Sequence, residues 1–298
     1  MRVNIIALER SDVLFIINPI SGGKTKKNLP SMIESCLDQN KFNARYVFTE
    51  YEGHASELAG GIDASEFDVI VAVGGDGTVN EVASEVIKRN KVLGIIPFGS
   101  GNGLSRYLKI PMSSSRAVQV LNERNIKAID AGKIGDKYFF NMAGAGFDAH
   151  ISAVFAKQKL RGLRGYLKLG FNEMINYRAE KYCFSVDSKN YSRRAFAISV
   201  ANSSQYGNNA HIAPDASVTD GILDLCVIKE FPLYKLPLLA YQMLLRQTDR
   251  FGLVEIIRGK EINILRESDG FVHIDGEPYL MGKDVHISVL PQALKIIA

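Results

Sequence analysis

The chain has 298 residues, 46% of them hydrophobic and 23% charged, which suits one large globular domain or two smaller ones. Its 36 basic and 32 acidic residues leave a net charge of +4, without the concentrated basic excess of a nucleic-acid binder. Cys36, Cys183 and Cys226 are far apart and form no Cys-x-x-Cys, which argues against a disulfide framework or a zinc site; buried free thiols in a reducing compartment are expected.

The pattern along the first part of the chain alternates strand and helix. Val13 to Ile17, Ala44 to Thr49, Asp68 to Val73 and Val92 to Pro97 read as apolar strands. Between and after them, Leu29 to Leu37, His54 to Ala59, Val79 to Ile87 and Ser115 to Leu121 read as helices, the third with Val79, Val82, Ala83, Val86 and Ile87 on one stripe. Repeated βα units predict a mostly parallel sheet with helices on both faces and ligands at the carboxyl ends of the strands. After Ile129 strand-like runs dominate: Tyr138 to Met142, Tyr182 to Val186, Arg194 to Ala201, Ile222 to Ile228, Glu261 to Leu265, Gly270 to Ile274 and Val285 to Leu290. Helical stretches interrupt them at about Ile151 to Asn176 and Tyr234 to Thr248. The expected organisation is an α/β domain over residues 1–128 and a mainly-β sandwich over 129–298, whose last strand is free to pack back on the first domain.

The apolar run within Met1 to Arg10 is too short for a signal peptide. The longest apolar region, Phe231 to Leu245, is interrupted by Lys235, Gln242 and two prolines and is too short to span a bilayer. A cytoplasmic protein, able to lie on the inner face of a membrane, is expected.

Three loops follow apolar strands in the first domain. The most informative is Gly74-Gly75-Asp76-Gly77-Thr78, directly before a helix. Glycines let backbone approach phosphate oxygens, and the helix N-terminus offers free N–H groups to the same anion. Asp76 would repel phosphates unless a metal ion or a hydroxyl proton lies between them, so a divalent cation or a phosphoryl acceptor is implied. Pro97-Phe98-Gly99-Ser100-Gly101-Asn102-Gly103-Leu104 repeats the strand–glycine–helix design on the next strand. Asn18-Pro19-Ile20-Ser21-Gly22-Gly23-Lys24-Thr25 imitates the end of a P-loop but has Asn18 where that motif needs glycine; it reads as a flexible loop that folds over phosphates.

In the second domain Asp215 to Asp224 and His273-Ile274-Asp275-Gly276-Glu277-Pro278 are acidic turns. Asp-Gly alone is a hairpin signal, but Asp275 and Glu277 are two apart, and on a strand both carboxylates would face one side. Beside a phosphate site that pair is a candidate base and metal group. No His-Glu-x-x-His and no Gly-x-Ser-x-Gly is present; His211 reads as structural, and Asp63, Asp68 and Asp148 as turn or surface acids.

Taken together, these residues resemble the diacylglycerol kinase catalytic family, which includes sphingosine kinases, ceramide kinases and soluble bacterial lipid kinases. The likeness runs nearly end to end, through Asn18-Pro19, Gly74 to Thr78, Gly99 to Asn102, Ile129-Asp130-Ala131-Gly132, Pro214 to Gly221 and Asp275-Gly276-Glu277. The Gly-Gly-Asp-Gly-Thr string alone is shared with NAD kinases; the later motifs favour the lipid kinases. The resemblance implies an active site between an ATP-binding domain and a β-sandwich. It implies nucleotide contacts at Asn18, Ser21, Gly22, Thr49, Gly74, Gly75, Asp76, Gly77, Thr78, Asn80, Gly99, Ser100 and Asn102. It implies Asp76 and Asp130 in a Mg2+ and water network, and a second, structural metal at Asp220 with the carbonyls of Ser217 and Ile222. Asp275 and Glu277, with Asp76, would form the catalytic acidic group. Gly99-Ser100-Gly101-Asn102 stands where many bacterial members carry Gly-Thr-x-Asn-Asp-Phe and is closer to sphingosine kinases, so the acceptor is a lipid hydroxyl of open identity. A kinase of a soluble acceptor such as NAD, or a silent binding protein, is the rival reading.

A lipid at a membrane surface is the partner so implied, and a homodimer is allowed. Lys157, Lys159, Arg161, Arg164 and Lys168, interleaved with leucines and Tyr166, and the apolar run from Pro232 to Leu245 are the candidate membrane contacts.

Overall fold

The computed structural model describes residues 10–23, 28–61, 66–158, 173–250 and 252–298. Four parallel strands, β1 (Ser11–Ile17), β2 (Phe42–Phe48), β3 (Val69–Gly74) and β4 (Val92–Pro97), lie side by side in the order β4-β3-β1-β2. β3 is buried along its whole length and β1 over Val13 to Ile17, as expected of parallel strands covered on both faces. Helices α1 (Leu29–Cys36), α2 (His54–Gly60) and α3 (Asp76–Arg89) connect them, and α4 (Gly103–Tyr107) and α5 (Ser114–Glu123) follow β4. The predicted stripe of α3 is buried at Val79, Val82, Ala83 and Val86. Asp76 in its first turn and Lys88 and Arg89 in its last complement the helix dipole.

The second part is antiparallel. Strand β5 (Ile126–Ile134) leads into β6 (Lys137–Phe139), β7 (Met142–Gly146) and helix α6 (Phe147–Gln158). Then come β8 (Glu180–Val186), β9 (Lys189–Ala201), the small hairpin β10 (Gln205–Gly207) and β11 (Ala210–His211), and β12 (Leu223–Lys229). Helix α7 (Leu236–Leu244) precedes β13 (Val254–Gly259), β14 (Glu261–Leu265), β15 (Gly270–Ile274), β16 (Glu277–Met281) and β17 (Asp284–Ile297). Alternate residues of these strands, among them Phe184, Val186, Ile198, Val200, Leu225, Val227, Ile262 and Ile264, form the sandwich core.

β17 joins the two parts. It pairs antiparallel with β14 and β5, shifts register between Leu290 and Leu294, and ends with Lys295 and Ile296 parallel to Val92 and Leu93 of β4. Leu294, Ile296 and Ile297 are therefore buried in the core of the α/β part. The glycine-rich loops and the sandwich turns are thus set by one hydrogen-bonded framework.

Several expectations change. The strand expected over Tyr138 to Met142 is interrupted at Phe140 and Asn141, whose N–H groups turn to a side chain described below. The helix expected from Ile151 starts at Phe147; its side chains beyond Phe155, and with them the basic segment from Lys157 to Lys168, lie outside the described residues. Of the expected buried thiols only Cys226 is buried; Cys36 is half-buried and Cys183 exposed.

Candidate active site

The Gly74–Thr78 turn and the Gly99–Asn102 turn face each other at the carboxyl ends of β3 and β4. A Cβ on Gly75 would lie 3.3 Å from Gly99 Cα, and one on Gly99 would lie 2.7 Å from Gly75 Cα, so glycine at both positions permits the close approach. Asp76 locks the pair: its Oδ2 accepts from Asn102 N–H at 2.8 Å and its Oδ1 from Gly103 N–H at 2.8 Å. Asn102 closes its own loop by accepting from Gly99 N–H and donating to Gly99 O, both at 2.8 Å. On the other side Asn18 Nδ2 donates to Thr78 Oγ1 at 3.0 Å, and Ser21 Oγ donates to Asn18 O at 3.1 Å.

The anticipated nucleotide residues therefore split by orientation. Thr49, Thr78 and Asn102 are buried and shape the loops. Ser100 is exposed, and backbone of the glycine turns lines the surface between them.

Asp275 and Glu277 do not share a strand face. Asp275 and Gly276 both have positive φ and form the two-residue turn between β15 and β16, with Ile274 paired to Glu277. The hairpin reading of Asp-Gly prevails, and it sends the two carboxylates different ways. Asp275 points inward: Oδ1 accepts from the N–H groups of Asn141 and Met142, and Oδ2 from Phe140 N–H and Asn80 Nδ2, at 2.8–2.9 Å. Burial pushes its pKa up, opposed by these four donors.

Glu277 points to the cleft. Its Oε1 would lie 2.8 Å from a Cβ on Gly77, so the sandwich carboxylate rests directly on the glycine turn of the first part. It is exposed and makes no side-chain hydrogen bond among the described residues; desolvation by the turn it rests on, with Glu52, Glu81 and Asp76 as like charges, raises its pKa. Asp76 is pushed up to about 6 by burial, and Asp275 adds repulsion.

This gathering of unneutralised acids fits a divalent cation. Among the described residues no three acidic, histidine or cysteine side chains converge to hold a metal alone. That matches Mg2+, which typically takes one or two carboxylates and fills the remaining positions with phosphate oxygens and water. Asp76 and Glu277 are the residues that would face it.

At the anticipated second metal loop the acidic member is engaged in an ion pair. The Asp220 carboxylate is paired with Arg258 Nη2 and accepts from Ile222 N–H at 3.2 Å, while Arg258 Nε donates to Asp224 Oδ1 at 2.9 Å. Ser217 Oγ is held by Thr219 at 3.1 Å. The Arg258 guanidinium thus bridges Asp220 and Asp224. Asp130 is likewise a clasp rather than a cleft acid: it is fully buried, and its oxygens accept from Gly221 N–H and Gln292 N–H at 2.7 Å.

The sequence reading missed one polar group. Asp148, expected at the surface, is buried at the start of α6, where Oδ2 accepts from Ser199 Oγ at 2.7 Å and from the Tyr206 hydroxyl and faces His273 Nε2 at 3.4 Å. Its position directly after the glycines of β7 was the available signal. His211 is structural as expected, between Ser204 Oγ and Arg246 Nε.

Comparison with known proteins bears on this arrangement. Residues 12–134 match the diacylglycerol kinase catalytic domain, and residues 141–298 match the YegS C-terminal NAD kinase beta sandwich-like domain. The chain belongs to the diacylglycerol kinase family. Among its relatives, a probable YegS-like lipid kinase of Yersinia enterocolitica is 31% identical over 252 residues, covering 82% of this chain and 83% of that one. A diacylglycerol kinase of Staphylococcus saprophyticus is 27% identical over 275 residues, covering 90% and 89%. In the crystal structure of a diacylglycerol kinase from Bacillus anthracis the fold superposes with a TM-score of 0.72 at 21% identity, over 96% of each chain. This diacylglycerol kinase family member thus has the two-part architecture of its relatives, with the Asp76 and Glu277 carboxylates beside the glycine turns.

Proposed function

We propose that the protein is a lipid kinase that transfers the γ-phosphoryl group of ATP to a lipid hydroxyl in the presence of Mg2+. The observation that carries this reading is Glu277: a carboxylate with no hydrogen-bond partner among the described residues, set against Gly77 of the glycine turn. A base must have a free lone pair, and desolvation, with the like charges around Glu277, raises its affinity for a proton. Asp275 spends its oxygens on four donors and positions the turn that carries Glu277.

In this reading the N–H groups of the two glycine turns and the first turn of α3 bind phosphate oxygens. Mg2+, when bound, neutralises phosphate charge and orients the transferred group. Asp76 keeps the two turns in register and offers its carboxylate toward the cation. Glu277 accepts the proton of the attacking hydroxyl. Positioning and charge stabilisation supply most of the acceleration, as general for phosphoryl transfer. The names of the lipid kinase relatives support a lipid acceptor. The loop Gly99-Ser100-Gly101-Asn102 keeps sphingoid bases beside diacylglycerol as acceptors to test.

The test is incubation with labelled ATP and Mg2+ against diacylglycerol, sphingoid base, ceramide and isoprenoid alcohols in micelles, with NAD as a soluble control. Label in one lipid, lost in Glu277→Gln, is the expected result. Label in NAD alone, or full turnover in Glu277→Gln, would overturn the assignment.

A further inference from the structure

Helix α7 is apolar on its outer face as well as its inner one. Its sequence, Leu-Pro-Leu-Leu-Ala-Tyr-Gln-Met-Leu, carries no charge, and its one polar side chain faces inward. Gln242 is 1% exposed and its amide has no hydrogen-bond partner. Leu239 is buried and Met243 packs beside it, but the rest of the apolar surface faces out: Tyr234 is 77% exposed, Tyr241 59% and Leu244 60%, with Leu233, Leu238 and Leu245 beside them. Six of the fifteen large exposed hydrophobics among the described residues fall between positions 233 and 245. A patch of this kind marks an interaction surface, whereas singly scattered apolar residues do not.

The charges bordering the helix are mainly positive. Lys235 precedes it, and Arg246 and Arg250 follow, with Asp249 the one acid in that stretch. An uncharged apolar face between basic ends is the design of a helix lying in the interface of an anionic bilayer. The position agrees. Arg246 reaches His211 of the β10–β11 hairpin, and Thr248 Oγ1 donates to Ile212 O at 2.8 Å. The far side of that hairpin meets the nucleotide part: a Cβ on Gly207 would lie 3.6 Å from Gly101 Cα. One short hairpin links α7 to the Gly99–Asn102 turn.

We propose that the outer face of α7, with its preceding turn, docks the protein on an anionic lipid surface, so that a water-insoluble acceptor enters the cleft from the leaflet. This inference rests on the lipid kinase reading for the acceptor, but the docking itself is measurable without turnover. The full chain is sedimented with vesicles of phosphatidylcholine and of phosphatidylcholine mixed with phosphatidylglycerol, with no ATP present. The wild type should pellet with the anionic vesicles. Tyr241→Glu combined with Leu244→Glu should lower the partition coefficient about tenfold or more, because two buried apolar contacts become charged. Lys235→Gln combined with Arg246→Gln should weaken binding to anionic vesicles only. Both positions of the glutamate pair are exposed, and an unchanged melting temperature verifies its fold. Activity of that variant on a short-chain, monomerically dissolved acceptor should equal wild type, while activity on vesicle-borne acceptor falls. Absence of wild-type vesicle binding, or equal binding by the glutamate variant, would overturn docking. So would a concentration-dependent dimer that the same variant dissociates, since the face would then belong to a second copy. Intact vesicle binding with no phosphorylation of any lipid would leave docking standing and sink the proposed reaction instead.

Discussion

Asn80 of α3 and Asp275 of the β15–β16 turn, 195 residues apart, are joined by a hydrogen bond of 2.8 Å. Through it the helix that begins at Asp76 is fixed to the turn that presents Glu277. The same Asp275 carboxylate gathers three successive N–H groups from Phe140 to Met142. The geometry of the cleft therefore depends on one side chain that need not touch substrate.

Asp275→Asn and Glu277→Gln should consequently fail in different ways. An asparagine at 275 turns one acceptor into a donor facing donors, leaving buried polar groups unmatched at a cost of roughly 2–4 kcal/mol. A lower melting temperature and weaker binding of a non-hydrolysable ATP analogue should accompany its loss of turnover. Glu277→Gln should keep the melting temperature and analogue binding while kcat drops about 10²- to 10⁴-fold, the usual worth of a general base. Thermal melts beside single-turnover kinetics separate the two; equal melting temperatures for both variants would contradict the assignment.

Nucleotide binding should depend on pH through Asp76. Its pKa is raised from 3.8 to about 6, so the fold favours the protonated carboxyl. The stability that this group contributes to the ligand-free protein is complete below its ordinary range and is lost as pH rises through about 6. In the proposed site protons and Mg2+ would compete for the same carboxylate, so affinity for the Mg2+–nucleotide complex should climb over that interval and level off above it. Calorimetric titration from pH 5 to pH 8 reads the effect. Asp76→Asn should flatten the profile as well as weaken binding; an unaltered profile would assign the dependence to another group.

Much of this was legible in the sequence, for identifiable reasons. β1, β3, β4 and α3 follow from apolar runs and a 3.6-residue stripe, because local pattern and tertiary burial agree there. The glycine turns and Asp76 were found because close backbone approach leaves a compositional mark. The pointing of Asp275 was not legible, because spacing alone does not separate a strand from a two-residue turn. Nor was the break after Phe139: the sequence Tyr-Phe-Phe-Asn-Met is strand-like throughout, and only a distant carboxylate turns its N–H groups aside. The roles of Asp130 and Arg258 depend on partners 91 and 38 residues away and have no local signature.

Arg258 should make the sandwich indifferent to metal. Asp224 is 2% exposed and shares the guanidinium with Asp220. Removing the arginine, whose guanidinium is itself half-exposed, leaves the Asp224 carboxylate without its partner, a loss of roughly 1–3 kcal/mol. Wild-type melting temperature without nucleotide should be the same in EDTA and in millimolar Mg2+ or Ca2+. Arg258→Gln should melt well below wild type and regain part of the difference when a divalent cation is added. A wild-type melt that falls in EDTA would show that the loop holds a metal after all.

Gly77→Ala offers a probe of the cleft that separates stability from chemistry. Position 77 is the second residue of α3, where alanine has the higher helix propensity, by about 1 kcal/mol in a helix interior and less near an end. Its methyl would sit 2.8 Å from Glu277 Oε1, closer than a carbon and a carboxylate oxygen can approach, and Glu277 can swing away because no hydrogen bond among the described residues holds it. The melting temperature should hold steady or rise slightly. Turnover should nevertheless fall, because the carboxylate no longer rests against the turn that would hold the phosphates, and a displacement of about 1 Å can cost on the order of 10²-fold. Undiminished kcat in Gly77→Ala would mean that contact between Glu277 and this turn is not needed for transfer, and the role given to Glu277 would have to be withdrawn.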